Sequence, residues 1–199
     1  MNVKLIYLSL YSTALLARGG FDFGTAAGKN NWDLSLTINP YNYFESGQSY
    51  AILSYGITKN IDVHGYFSYS KNISNYYIGG FYQFIKWKKL DLATALGYRK
   101  YVNDENITHL FFPQILYTIY LNKNIQLCGS FVNVKNEGTN LGNAIDISLK
   151  RKLFENKKIK LDFSIGVFDP ILWKPKHGKW HPTYSFDIKF KSQKKFRSK

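Results

Sequence analysis

Residues 61–70 alternate strictly. Ile61, Val63, Gly65, Phe67 and Tyr69 fall on one face, and Asp62, His64, Tyr66, Ser68 and Ser70 on the other. A side-chain period of two belongs to a β-strand. The preceding run, 49–57, reaches this one through residues 58–60, a connection short enough to demand an antiparallel hairpin. The same unit recurs to the C-terminus and predicts ten strands, over 31–38, 49–57, 60–71, 75–86, 90–101, 108–121, 125–134, 143–153, 159–169 and 181–191. Several exceed the roughly five or six residues usual in soluble sheets, and their length suits a tilted strand crossing a bilayer.

Most strands predict one apolar and one polar face. In 90–101, Leu90, Leu92, Leu96 and Tyr98 oppose Asp91, Ala93, Ala95, Gly97 and Arg99. In 143–153, Ile145, Ile147, Leu149 and Leu153 oppose Ala144, Asp146, Ser148 and Lys150; in 159–167, Ile159, Leu161, Phe163, Ile165 and Val167 oppose Lys160, Asp162, Ser164 and Gly166. In the last strand Tyr184, Phe186, Ile188 and Phe190 oppose His181, Thr183, Ser185, Asp187 and Lys189. Runs 75–86 and 108–121 are apolar on both faces, so the pattern leaves their orientation open.

The connections sort by length. Residues 40–47, 102–107, 135–142 and 170–180 read as long loops, while 58–60, 87–89, 122–124 and 155–158 read as tight turns, with 72–74 intermediate. Long and short alternate, so loops gather at one end and turns at the other. On this asymmetry, the alternation and the aromatic closing strand 183–190, the chain resembles the small bacterial outer-membrane up-and-down β-barrels. That resemblance implies an all-β, antiparallel, transmembrane barrel of about ten strands over 31–191, with both termini on the turn side. Tyr41, Tyr43, Tyr50, Tyr55, Tyr76, Tyr77, Trp87, Tyr101, Tyr120, Trp173 and Trp180 lie towards strand ends, as interfacial belts require.

Ahead of the barrel, Lys4 and the mostly apolar stretch 5–17 suggest a signal peptide over 1–19, with an N-terminal strand as the other reading. Residues 20–30 read as a lead-in and 192–199 as a basic tail. Aromatic residues make up 18% of the 199 and charged residues 20%, which argues against disorder. The single cysteine, Cys128, excludes an internal disulfide framework and a cysteine-based metal site.

A net charge of +14 raises the question of nucleic acid. The lysines concentrate in turns, and the strand faces carry acids and hydroxyls, so no basic, aromatic sheet face forms and a nucleic-acid partner is not expected. Lys59, Lys86, Lys88, Lys89, Lys123, Lys157 and Lys158 instead line the turn end, where anionic lipid would attract them. Membrane lipid, lipopolysaccharide and small solutes are the expected partners.

No metal or nucleotide motif is present, and no cofactor is expected. His181, with Thr183, Ser185 and Asp187 on the same face, is the weak candidate for hydrolytic chemistry. A satisfied polar lumen is the simpler reading of these residues. The more pronounced constellation is a ring of lumenal carboxylates near the turn-side mouth, Asp33, Asp62, Asp91, Asp162 and Asp187, with Lys160, Lys189, Arg99 and Lys150 as basic partners on the same faces. Carboxylates converging in a narrow lumen must repel, pair or protonate. Complete pairing makes the ring a plug; incomplete pairing favours cations. The sequence therefore points to a narrow passive pore or a structural barrel in a bacterial outer membrane. A lipid- or lipopolysaccharide-modifying hydrolase and a soluble lipid-binding barrel, its apolar residues turned inward, remain alternatives.

Overall fold

The computed structural model describes residues 23–38, 50–70, 73–103, 106–136, 139–169 and 181–192. Among them all regular structure is β: β1 (Trp32–Ile38), β2 (Tyr50–Gly56), β3 (Ile61–Ser70), β4 (Ile73–Lys86), β5 (Leu90–Asn103), β6 (Asn106–Tyr120), β7 (Ile125–Asn136), β8 (Thr139–Glu155), β9 (Ile159–Asp169) and β10 (His181–Phe190). Each strand pairs antiparallel with its sequence neighbours, and β1 pairs with β10. The result is a closed, ten-stranded, up-and-down barrel, as the alternation predicts.

Orientation follows the period of two. Asp91, Ala93, Ala95, Gly97 and Arg99 of β5 are buried inside, while Leu96, one position off, is 59% exposed outside. Leu92, Ile147 and Phe163 share this outer parity, and Ile78, Ile115, Leu149 and Ile165 stand exposed on it. An apolar exterior around a polar interior removes the soluble lipid-binding barrel, which needs the reverse. The ambiguous strands β4 and β6 are apolar on both sides because Tyr77, Phe81, Leu110, Phe112 and Leu116 point into the lumen. Tyr77 fits there only because Gly79 and Gly97 leave room for its ring; a Cβ on Gly97 would collide with it.

The loop end departs from expectation. Ser70 pairs with Ile73, Asn103 with Asn106 and Asn136 with Thr139, so 102–107 and 135–142 are mostly projecting hairpin. Polarity suggested loops there because both faces of a ribbon are wet once it leaves the apolar band. Alternation vanishes while pairing continues, and Asn133 donates to Asn140 and Asn143 at 2.9 and 2.8 Å. Residues 40–47 and 170–180 lie outside the described residues.

The turns repeat one device. Thr58 Oγ1 accepts the amides of Asn60 and Ile61 at 3.2 and 3.0 Å. Asn122 Oδ1 accepts those of Asn124 and Ile125 at 2.8 and 2.9 Å, and Asn156 Oδ1 those of Lys158 and Ile159 at 2.7 and 2.8 Å. A short polar side chain thus substitutes for backbone and closes the hairpin. Each turn is then tied to the next hairpin: the carbonyls of Asn60, Lys89, Asn124 and Lys158 accept the amides of Gln83, Tyr120, Lys152 and Lys191 at 2.7–2.9 Å. The rim is therefore one continuous hydrogen-bonded ring. Replacing Asn122 by Ala should cost about 0.5–1.5 kcal/mol in a denaturant titration, whereas Asn122→Asp, which keeps the acceptor, should cost less.

Candidate functional site at the turn-side mouth

Asp33, Asp62, Asp91, Asp162 and Asp187 are all buried on the lumen wall, each close to the turn end of its strand. Cross-strand register brings them together: Asp187 lies opposite Asp162 and Ser35, and Asp33 opposite Lys189. Lys150 pairs with Asp187 at 2.8 Å, Lys160 with Asp162 at 2.6 Å, and Lys189 reaches Asp33 at 3.7 Å. Asp187 also accepts the Ser35 hydroxyl at 2.6 Å. Arg99, the fourth expected partner, is buried farther along β5 towards the loops, outside this group. A sixth buried carboxylate, Asp146, accepts the hydroxyl of Ser130.

Asp62 and Asp91 have no lysine. Their partners come from residues expected to form a lead-in outside the barrel. Instead, 23–27 run inside the lumen, across successive strands. Ala27 N donates to Asp62 at 2.6 Å on β3, and Ala26 N to Gln83 Oε1 at 3.0 Å on β4. The Thr25 hydroxyl donates to Asp91 at 2.9 Å on β5, where Tyr120 OH joins it at 2.7 Å. Gly24 N donates to Thr118 Oγ1 at 3.0 Å on β6, and Lys150 Nζ stands 3.4 Å over the Phe23 ring. Gln83 shares the inward parity of Gly79 and Phe81, and a β-bulge follows it before Ile85.

Local chemistry makes this course possible. Gly28 (φ 82°) and Asn30 (φ 62°) reverse the chain from the start of β1 into the lumen, in the left-handed region that Gly and Asn tolerate. Asn31 N closes the reversal on Gly28 O at 3.0 Å, and Asn30 N reaches Gly56 O at 2.7 Å. Asn31 also ties the segment before β1 to the one after β10, donating to Ala27 O at 2.8 Å and accepting Ser192 N at 2.8 Å. Gly24 lies flush on the wall, where a Cβ would stand 2.8 Å from Asp91 O and 2.9 Å from Leu116 O. The signal in the sequence was there to read: Gly24-Thr-Ala-Ala-Gly28 is a run of small residues, narrow enough to pass through a crowded lumen.

Beside the segment lies a cavity of about 70 Å³ bordered by Phe23, Asp33, Asp62, His64 and Tyr77 among others, room for a few waters. His64 Nε2 meets Tyr77 OH at 2.9 Å, and Tyr77 stacks on Tyr66 at 5.3 Å. These rings cluster inside the lumen beside that cavity. Tyr77 and Tyr120 are thereby removed from the expected interfacial belt; Tyr55, Tyr76 and Trp87 stay on the outside.

Thr183 and Ser185 are buried on the lumen wall, and the Ser185 hydroxyl has no hydrogen-bond partner. The side chain of His181 lies outside the described residues. No group of three or more potential metal ligands forms among the described residues.

No family model matches this chain, and no curated protein gives a significant match. Among solved structures it is similar to a KdgM porin, at 14% identity and a TM-score of 0.41 over 82% of this chain and 99% of that one. It is also similar to the ferric-catecholate import receptor Fiu of E. coli K12 in an open form, at 13% identity and a TM-score of 0.33 over 75% of this chain and 34% of that one. Superpositions this loose leave the reading of the site to its own geometry.

Replacing Asp62 by Ala would leave the Ala27 amide without its acceptor inside the lumen. The expected loss is about 1–3 kcal/mol in unfolding free energy. Asp62→Asn, which keeps an acceptor oxygen, should lose less in the same titration.

Proposed function

We propose that this chain is a membrane-spanning barrel of a bacterial outer membrane, closed to solutes and structural in role. The observation that carries the reading is the combination of an apolar exterior with a lumen occupied by the chain's own residues 23–27. The exterior is where membrane barrels carry their apolar band, and an even number of antiparallel strands with tight turns at one end suits the same class. A soluble protein would gain nothing from exposing Leu53, Ile78, Leu96, Ile115 and Ile165 together.

The lumen distinguishes a structural barrel from a passive pore. Three lysines stand against three of the carboxylates at the mouth, and the Ala27 amide and the Thr25 and Tyr120 hydroxyls reach one oxygen of each of the other two, while the second oxygen of Asp33, Asp62, Asp91 and Asp162 has no hydrogen-bond partner. A solute would have to break these contacts to pass. The hydrolase alternative is poorly served by the same geometry, since Thr183 and Ser185 face the lumen and not the surrounding lipid.

The test is electrical. Purified full-length barrel, with insertion verified by protease protection, should show no steady conductance in a planar bilayer. A stable ohmic current would contradict the closed lumen, and a protein that stays dispersed in water without detergent would contradict the membrane assignment.

A further inference from the structure

Six of the seven carboxylates with described side chains are withdrawn into the lumen; Glu155 is the exception, and Lys152 and Lys191 hold it at 2.8 and 2.7 Å. Beyond the lumenal Lys150, Lys160, Lys189 and Arg99, many of the cations lie at the turn end. Lys59, Lys88, Lys89, Lys123, Lys157 and Lys158 are all exposed, and none forms an ion pair among the described residues. They occupy every tight turn, and Lys59, Lys123 and Lys157 take the same place in three of them, directly after the Thr58, Asn122 or Asn156 that closes the hairpin. That place points away from the barrel, because the preceding side chain is folded back on the amides. The turns are joined into one ring by the carbonyls of Asn60, Lys89, Asn124 and Lys158. The result is a fixed circle of positive charge at the barrel's edge.

Immediately above this circle stand outward aromatic residues at the strand ends: Trp32, Trp87 and Phe154, at 45%, 66% and 52% exposure. An amphipathic ring seeks the boundary between acyl chain and headgroup, so the lysines lie at headgroup height. From this arrangement we propose that the turn-side rim is a binding surface for anionic phospholipid headgroups, with the phosphates of one leaflet seated against the lysine circle. This rests on the membrane placement proposed above. Juxtamembrane lysines near anionic lipid are attracted to it, and a rim held together by backbone hydrogen bonds keeps these lysines at one level.

The test uses the two tryptophans of the belt. With Trp173 and Trp180 replaced by Phe, Trp32 and Trp87 are the remaining tryptophans. The full-length protein is reconstituted in phosphatidylcholine vesicles containing either brominated phosphatidylcholine or brominated phosphatidylglycerol, and quenching is titrated. Half-maximal quenching should require a several-fold lower mole fraction of the anionic lipid, and high salt should erode the difference. The K59Q/K88Q/K89Q/K123Q/K157Q/K158Q variant, which leaves the turn-closing side chains intact, should abolish the preference; K100Q/K135Q, towards the loop end, should keep it. Equal quenching by both lipids, or a preference that survives the sixfold variant, would overturn the proposal. Absence of quenching by either lipid would instead overturn the membrane placement on which it rests.

Discussion

Moving a carboxylate out of water costs several kcal/mol unless a partner compensates, and this barrel encloses six. Every other arrangement at the turn-side mouth answers to that cost. Lys150, Lys160 and Lys189 supply charge: Lys160 from its partner's own strand, Lys189 from the neighbouring strand, and Lys150 by reaching from β8 across β9 to Asp187 on β10. Asp62 and Asp91 stand on β3 and β5, where the wall offers no lysine. Their donors must come from within, and residues 25 and 27 bring them. The inward course of the N-terminal segment is thus the consequence of where the acids lie.

The same constraint organises what faces outward. With most acids held inside, the outer surface is largely apolar, and the lysines that do not pair in the lumen gather at the turn-side edge. Tight turns closed by Thr58, Asn122 and Asn156 place lysines at the rim, and the carbonyl-to-amide contacts between hairpins hold that rim together. A lumen crossed by the chain's own residues 23–27 and a rim held by backbone contacts are the two features on which the proposed structural role rests.

The architecture was largely legible in the sequence because the barrel imposes a period of two, and only residues with two apolar faces could blur it. Tyr77, Phe81 and Leu116 did so in β4 and β6, since an inward aromatic over a glycine looks like an outward one. The long loops inferred at 102–107 and 135–142 failed for a related reason: a ribbon wet on both sides has no alternation to detect, yet Asn103 still pairs with Asn106 and Asn136 with Thr139. The placement of the five aspartates on the polar face followed from parity alone. The partners of Asp62 and Asp91 could not: the Ala27 amide that meets Asp62 carries no residue signature, and the Thr25 hydroxyl that meets Asp91 lies in a stretch with no alternation to place it. Gly24, Gly28 and Asn30 were the visible trace of the segment, and they were ambiguous with an ordinary flexible lead-in.

The central claim is that residues 24–27 are lodged in the lumen through their backbone amides. Residue-resolved hydrogen–deuterium exchange on the reconstituted full-length protein reads those amides without any substitution, since burial and hydrogen bonding slow exchange. The amides of Gly24, Ala26 and Ala27 should exchange as slowly as those of Ala93 and Ala95 in β5. Exchange at the rate of an unstructured peptide, with β5 still protected, would show the segment outside the lumen and contradict the account.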